Sequence, residues 1–302
     1  MADPSHLDIL SKGVLYWNDW RHAHPEAVPD LEGADLSRMS LRDGDFRGAF
    51  MKGADLRKAR LEGADFRQAD LTRARLWRAD LRLADLRGAH LTCAEFHQAD
   101  LDGANLHGTR LRGAIFLGAS LKEADLSHAD LRGADLRRAN LRDADTAYVR
   151  YDRWARYRGI RAASVHGSML FRRFAQDQAF IEEFRASSPT ARLVYCLWLV
   201  FADCGRSLLL WAAWSVAMAL VFAERYRELG SGAFDFDFVK LYWGFDMALY
   251  YSVVTFTTLG FGDVTPISAE AQRWVMAEVA VGYLMLGGLI SIFANKLARR
   301  NG

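Results

Sequence analysis

The sequence predicts a multidomain fold, in which an amino-terminal solenoid of short extended sides is followed by an all-α membrane domain. Three observations predict it. The chain repeats every five residues from Ala34 to Tyr148, its composition turns from charged to apolar after about residue 190, and two apolar stretches near its end enclose a short glycine-containing loop. Averages hide the division: 302 residues with 51% hydrophobic content and a net charge of +2 resemble an ordinary globular chain.

Residues 1–33 are expected to form an amino-terminal cap. Leu10, Val14, Trp17 and Trp20 recur at three- and four-residue spacings, one face of an amphipathic helix over residues 6–24, which Pro25 and Pro29 end. Its expected use is to cover the open end of the solenoid; a partner-binding helix is the other reading. The first twenty residues lack the basic-then-apolar pattern of a secretory signal, so this end is expected in the cytoplasm. Cys93, Cys196 and Cys204 have no metal-ligand spacing and are odd in number, which predicts reduced thiols.

Residues 34–148 hold twenty-three five-residue units without a slip. The centre of each unit is large and apolar from Leu36 to Leu141, failing only at Thr146, and alanine stands two residues before it except at Met39, Gly44 and Thr109. Neither the helical period of 3.6 nor the strand period of 2 gives this. A chain that turns a corner after each short side does, with the alanine and the centre residue pointing inward. Units such as Ala54-Asp-Leu56, Ala104-Asn-Leu106 and Ala134-Asp-Leu136 make the segment similar to pentapeptide-repeat proteins, a resemblance that implies a right-handed quadrilateral β-helix. At four units per coil and about 4.8 Å between stacked strands, the rod would be roughly 28 Å long. Some members of that family imitate DNA with an acidic surface. Here 20 Lys and Arg face 18 Asp and Glu, which favours a plain solvated surface over DNA mimicry or a nucleic-acid-binding stripe. His90, His97, His107 and His128 lack ligand spacing and are read as surface residues.

Over 149–192 the five-residue register is lost and arginines cluster, from Arg150 to Arg173, with Phe171, Phe174, Ile181 and Phe184 on a short amphipathic helix. A basic helical linker is expected; recognition of anionic lipid is the alternative. The apolar run Leu193–Ala202, stopped by Asp203-Cys-Gly-Arg206, is too short to span, and 193–203 suits an interfacial helix, unless the first spanning helix itself begins near Leu193 with Asp203 and Arg206 paired.

The membrane domain, 193–302, is organised around its loop. Residues 207–223 carry no charge and residues 274–294 carry one, Glu278, so both reach the length of a spanning helix. Between them, 246–257 has the length of a short re-entrant helix with Asp246 as its cap, and its carboxyl end would favour a cation. Residues 258–262 follow as a filter: Thr258, Leu259, Gly260, Phe261 and Gly262 would turn backbone carbonyls toward an ion, with glycine at alternate positions accepting the backbone angles this needs. Leu259 and Phe261 are expected to pack behind the carbonyls. Arg192, Arg206, Lys296, Arg299 and Arg300 flank the spans, whereas 224–273 holds seven acids against four bases, Asp235 and Asp237 among the acids; both termini are therefore expected in the cytoplasm. Glu278 is expected to face a neighbouring subunit or water.

The run Leu249-Tyr-Tyr-Ser-Val-Val-Thr-Phe-Thr-Thr-Leu-Gly-Phe-Gly-Asp263 resembles the pore region of two-transmembrane potassium channels. The resemblance implies a homotetramer in a cytoplasmic membrane, with potassium coordinated by Thr258 to Gly262 and the filter supported by Thr257, Asp263 and Tyr251. It departs from the family pattern at Leu259 and Phe261, which stand for valine and tyrosine, and at Val254, where some members carry a buried acid. Gly282 matches an inner-helix hinge by its distance from the filter; close helix packing by a small residue is the alternative. No cofactor is expected beyond permeating potassium, and no enzyme signature is present. Two other functions stay open: a non-selective monovalent cation channel, and a membrane-anchored interaction platform whose rod binds a cytoplasmic protein or ligand.

Overall fold

The computed structural model describes residues 2–202, 208–236, 243–257 and 259–300, and the chain divides into two compact units, 1–187 and 188–302. Of the residues discussed above, Asp203, Cys204, Arg206, Asp237 and Thr258 lie outside the described set.

In the first unit the five-residue period becomes a parallel ladder in which each side pairs with the side twenty residues on, from Asp30 with Phe50 to Asp130 with Arg150. The centre residues and alanines are buried along its whole length, and like rings stack between coils, Phe46 on Phe66 at 5.1 Å and Phe96 on Phe116 at 4.7 Å. Outside, arginines fold back onto the aspartate two residues earlier. Asp55 and Arg57 form one such pair at 2.6 Å, and the hydrogen bond from Arg57 is the main cause holding the Asp55 carboxyl below the usual range.

The coils do not stop at Tyr148. They continue through Asp135 with Arg156, Asn140 with Arg161 and Asp145 with His166, a spacing of twenty-one instead of twenty. One inserted residue between Arg150 and Arg156 displaces the register. The Asp152 carboxylate holds that corner by accepting hydrogen bonds from the amides of Gly133, Trp154 and Ala155 at 3.0–3.1 Å. Beyond it Ala155 and Tyr157 resume the pattern one residue late, and the next unit reverses it, with the large Ile160 at the alanine position and the small Ala162 at the centre.

Both ends of the coil stack are covered. Two helices stand where the sequence suggested one: α1 (Pro4–Ser11) and α2 (Val14–Ala23), separated by Gly13 at φ 109°, a left-handed angle that favours glycine. Trp17 is fully buried, stacks on Phe46 at 5.6 Å and donates its ring N–H to the Asp45 carbonyl at 2.8 Å. At the other end α3 (Met169–Ser187) buries Phe171 and Ala175 against the last coil, and the Glu182 carboxylate accepts the amides of Tyr157 and Arg158 at 2.9 and 3.0 Å. The stretch read as a linker is thus, up to Ser187, the last coil and its lid.

The second unit contains α4 (Pro189–Ala202), α5 (Leu208–Leu229), a 3₁₀ turn (Ser231–Ala233), β1 (Phe234–Phe236), α6 (Phe245–Phe256), β2 (Val264–Pro266) and α7 (Ala269–Arg300). Both α5 and the Ala269–Ile290 part of α7 are long and apolar enough to cross a membrane, with mean hydropathies of 1.5 and 1.4. They are tied by the Trp211 ring N–H to the Met285 carbonyl, 2.9 Å, and by Arg225 to Glu270, 2.7 Å. α6 packs against both α5 and α7.

Candidate functional site

The loop 257–263 leaves the carboxyl end of α6 and enters β2. The antiparallel pairs Phe234 with Pro266 and Phe236 with Val264 return the chain after the loop to the segment before α6. The site is therefore held on both sides. The buried residues of α6 are Ala248, Tyr251, Ser252, Val254 and Thr255, spaced as one helix face. Gly244 takes the amino-terminal cap position expected of Asp246, which lies instead in the first turn, where a carboxylate still suits the positive end of the helix dipole.

At the other end of α6, Thr257 donates its hydroxyl to the Val253 carbonyl at 2.7 Å, and the Leu259 amide reaches the Val254 carbonyl at 3.0 Å. These bonds satisfy carbonyls that a helix end otherwise leaves open. Gly260 and Gly262 then adopt φ of 48° and 78°, the left-handed region at alternate positions. Leu259 and Phe261 are 62% and 65% exposed, so one chain does not supply the packing expected behind them.

Asp263 is held by Tyr250, whose hydroxyl donates to the carboxylate at 2.7 Å. The resemblance implied filter support from Tyr251 instead. The helix stripe decides otherwise: Tyr251 points to the core, where its ring lies 5.2 Å from Tyr226 and 5.3 Å from Phe234, leaving the adjacent Tyr250 on the loop side.

Glu278 is also placed differently from expectation. It is fully buried within the chain, facing neither water nor an open subunit surface. Its carboxylate accepts the Tyr226 hydroxyl from α5 at 2.5 Å and is also bonded to the Ser252 hydroxyl of α6. Ser252 in turn reaches the Ala219 carbonyl of α5 at 2.8 Å. One polar knot thereby joins α5 and α7 to the short helix α6 between them, behind the loop. Nothing marked Tyr226 or Ser252 in the sequence, although Ser252 shares the small-residue stripe of Ala248 and Thr255.

Gly282 faces the end of α6. A Cβ at that position would lie 2.4 Å from the Phe256 carbonyl oxygen, whereas one at Gly287 would meet nothing within 4 Å. Gly282 is thus a point of close backbone approach. Among the described residues no group of His, Cys, Asp and Glu is arranged to hold a metal ion.

Compared with known families, residues 193–299 match the family described as "Ion channel". Residues 29–57, 51–88, 79–118 and 119–145 match the family described as "Pentapeptide repeats (8 copies)". Among solved structures, a pentapeptide repeat protein from the cyanobacterium Cyanothece 51142 is 22% identical over 46% of this chain and 95% of its own, with a TM-score of 0.31. One from the Arabidopsis thaliana thylakoid lumen is 33% identical over 38% and 69%, TM-score 0.26. One from Nostoc Pcc 7120 is 34% identical over 28% and 84%, TM-score 0.25. No curated protein matches the chain.

Proposed function

Since this chain carries pentapeptide repeats followed by a domain of the ion-channel family, we propose that it is a potassium-selective channel, a homotetramer that conducts passively through the carbonyls of residues 258–262. Neither family is one of enzymes. The observation that carries the reading is the loop itself, with two left-handed glycines at alternate positions between a helix end and a strand, flanked by two candidate spans.

Each chain contributes one such loop, and a ring of carbonyls needs several chains. The exposure of Leu259 and Phe261 within one chain supports the same requirement, because neighbouring subunits would cover them. α6 acts as the re-entrant pore helix, its carboxyl-terminal dipole favouring a cation. The knot at Glu278 and the tie from Tyr250 to Asp263 set the position of the loop behind and beside the ion path. The charge asymmetry around the candidate spans supports an orientation with both termini in the cytoplasm and the loop outside; the membrane would be a bacterial-type inner membrane. Opening bends or splays α7 near Gly282, and the rod is the regulatory or assembly domain.

Liposomes loaded with potassium and containing the chain should lose their gradient. Gly262→Ala, which puts a side chain at φ 78°, should abolish the loss. Sodium efflux as fast as potassium efflux would favour the non-selective reading instead.

A further inference from the structure

The ladder that stacks each residue over the one twenty further on sets Arg38, Lys58 and Arg78 in a column, continued by Gln98, Gly118 and Arg138. At about 4.8 Å per coil, the first three cations are strung over about 10 Å. Beside them runs a second column with Arg57, Trp77 and His97. Together they line a groove of about 760 Å³ that has no acidic residue in its wall.

The charges of this groove are not consumed by the fold. Arg57 is held by Asp55, but Arg38, Lys58 and Arg138 have no carboxylate partner among the described residues, and the Arg78 Nε donates to the neutral Gln98 Oε1 at 2.8 Å. Cations stacked this closely repel one another unless an anion lies between them. Trp77 is equally unneeded by the core, which the centre residues and alanines fill; it stays 43% exposed on a polar rod. Its ring is nonetheless fixed, since its N–H donates to the Glu95 carboxylate at 2.6 Å and His97 packs 4.8 Å away. The His97 Nδ1 is buried without a hydrogen-bond partner.

An oriented aromatic ring and a short row of cations without carboxylate partners form the complement of a planar base joined to a phosphate chain. We propose that this groove binds a nucleoside di- or triphosphate, its phosphates on Arg38, Lys58 and Arg78 and its base against Trp77. A nucleic acid is disfavoured because the rest of the rod is charge-balanced and offers no continuing track.

Calorimetry on the purified full chain in neutral-lipid nanodiscs tests this with ATP, adenosine and inorganic triphosphate as separate probes. ATP should bind once per chain, more weakly at high salt. The double variant Lys58→Gln/Arg78→Gln should lose at least about tenfold in affinity for both phosphate probes. Trp77→Ala should lose about tenfold for ATP and nothing for inorganic triphosphate. Absence of ATP binding at millimolar concentration, or ATP binding unchanged in the double variant with its melting temperature intact, overturns the proposal. So does equal affinity for ATP and inorganic triphosphate together with a silent Trp77→Ala, which would mark a plain phosphate site. Binding only to vesicles that contain anionic lipid would assign the cations to a membrane surface and equally overturn it. Binding is read without current, so its failure leaves the pore reading untouched.

Discussion

Replacing Gly282 by alanine separates its two possible roles, and the structure sets the size of the effect. A Cβ there would sit 2.4 Å from the Phe256 carbonyl oxygen. A carbon–oxygen contact relaxes at about 3.3 Å, so α7 and the end of α6 must part by about 0.9 Å. Overpacking of this kind costs about 1–3 kcal/mol, partly offset by the roughly 1 kcal/mol that alanine gains over glycine inside a helix. The displaced carbonyl lies just before the loop, so the strain reaches the proposed ion path. Gly287→Ala is the internal control: it meets nothing within 4 Å and should be neutral or mildly stabilising. Thermal unfolding in detergent and single-channel recording should show Gly282→Ala with a lowered melting temperature and altered conductance, and Gly287→Ala with neither. A Gly282→Ala protein that melts like the parent and differs only in open probability would refute close packing and leave the hinge. If it is unchanged in both, neither role stands.

Removing the carboxylate from the polar knot by Glu278→Leu leaves the buried Tyr226 hydroxyl without its acceptor, with an expected loss of about 1–2 kcal/mol on thermal unfolding; Glu278→Gln, which keeps an acceptor, should lose less than half of that. Tyr250→Phe deletes the bond to Asp263 and should raise sodium permeability relative to potassium in flux assays, while Tyr251→Phe, whose ring packs in the core, should not. Trp17→Ala uncovers Phe46 at the end of the rod and should cost about 3–5 kcal/mol by denaturant titration. The arginine-bonded aspartates, Asp55 and Asp80 among them, are held below the usual carboxylate range, so their contribution is complete at neutral pH and is lost as pH falls below about 4. The melting temperature of the full chain should fall there, and less steeply in Asp55→Asn.

The rod was legible because its period is local and nearly invariant: two inward positions in every five residues leave little choice of fold. It became illegible where one residue enters between Arg150 and Arg156 and where Ile160 and Ala162 exchange the small and large inward positions. A pattern read in steps of five cannot follow an insertion, whereas the ladder hydrogen bonds continue past it. In the membrane unit the positions of α5, α6 and α7 followed from apolar length, but their contacts did not. Choosing between Tyr250 and Tyr251 required the phase of α6, which the stripe of Ala248, Ser252 and Thr255 contains. The partners of Glu278 lie on two other helices, 26 and 52 residues away in sequence, and only packing brings them together.

The bi-ionic reversal potential of the purified chain in a planar bilayer, with potassium on one side and sodium on the other, tests the central claim most directly. A potassium-selective carbonyl filter predicts a value displaced far toward the potassium equilibrium potential. A reversal near zero with clear current would contradict it.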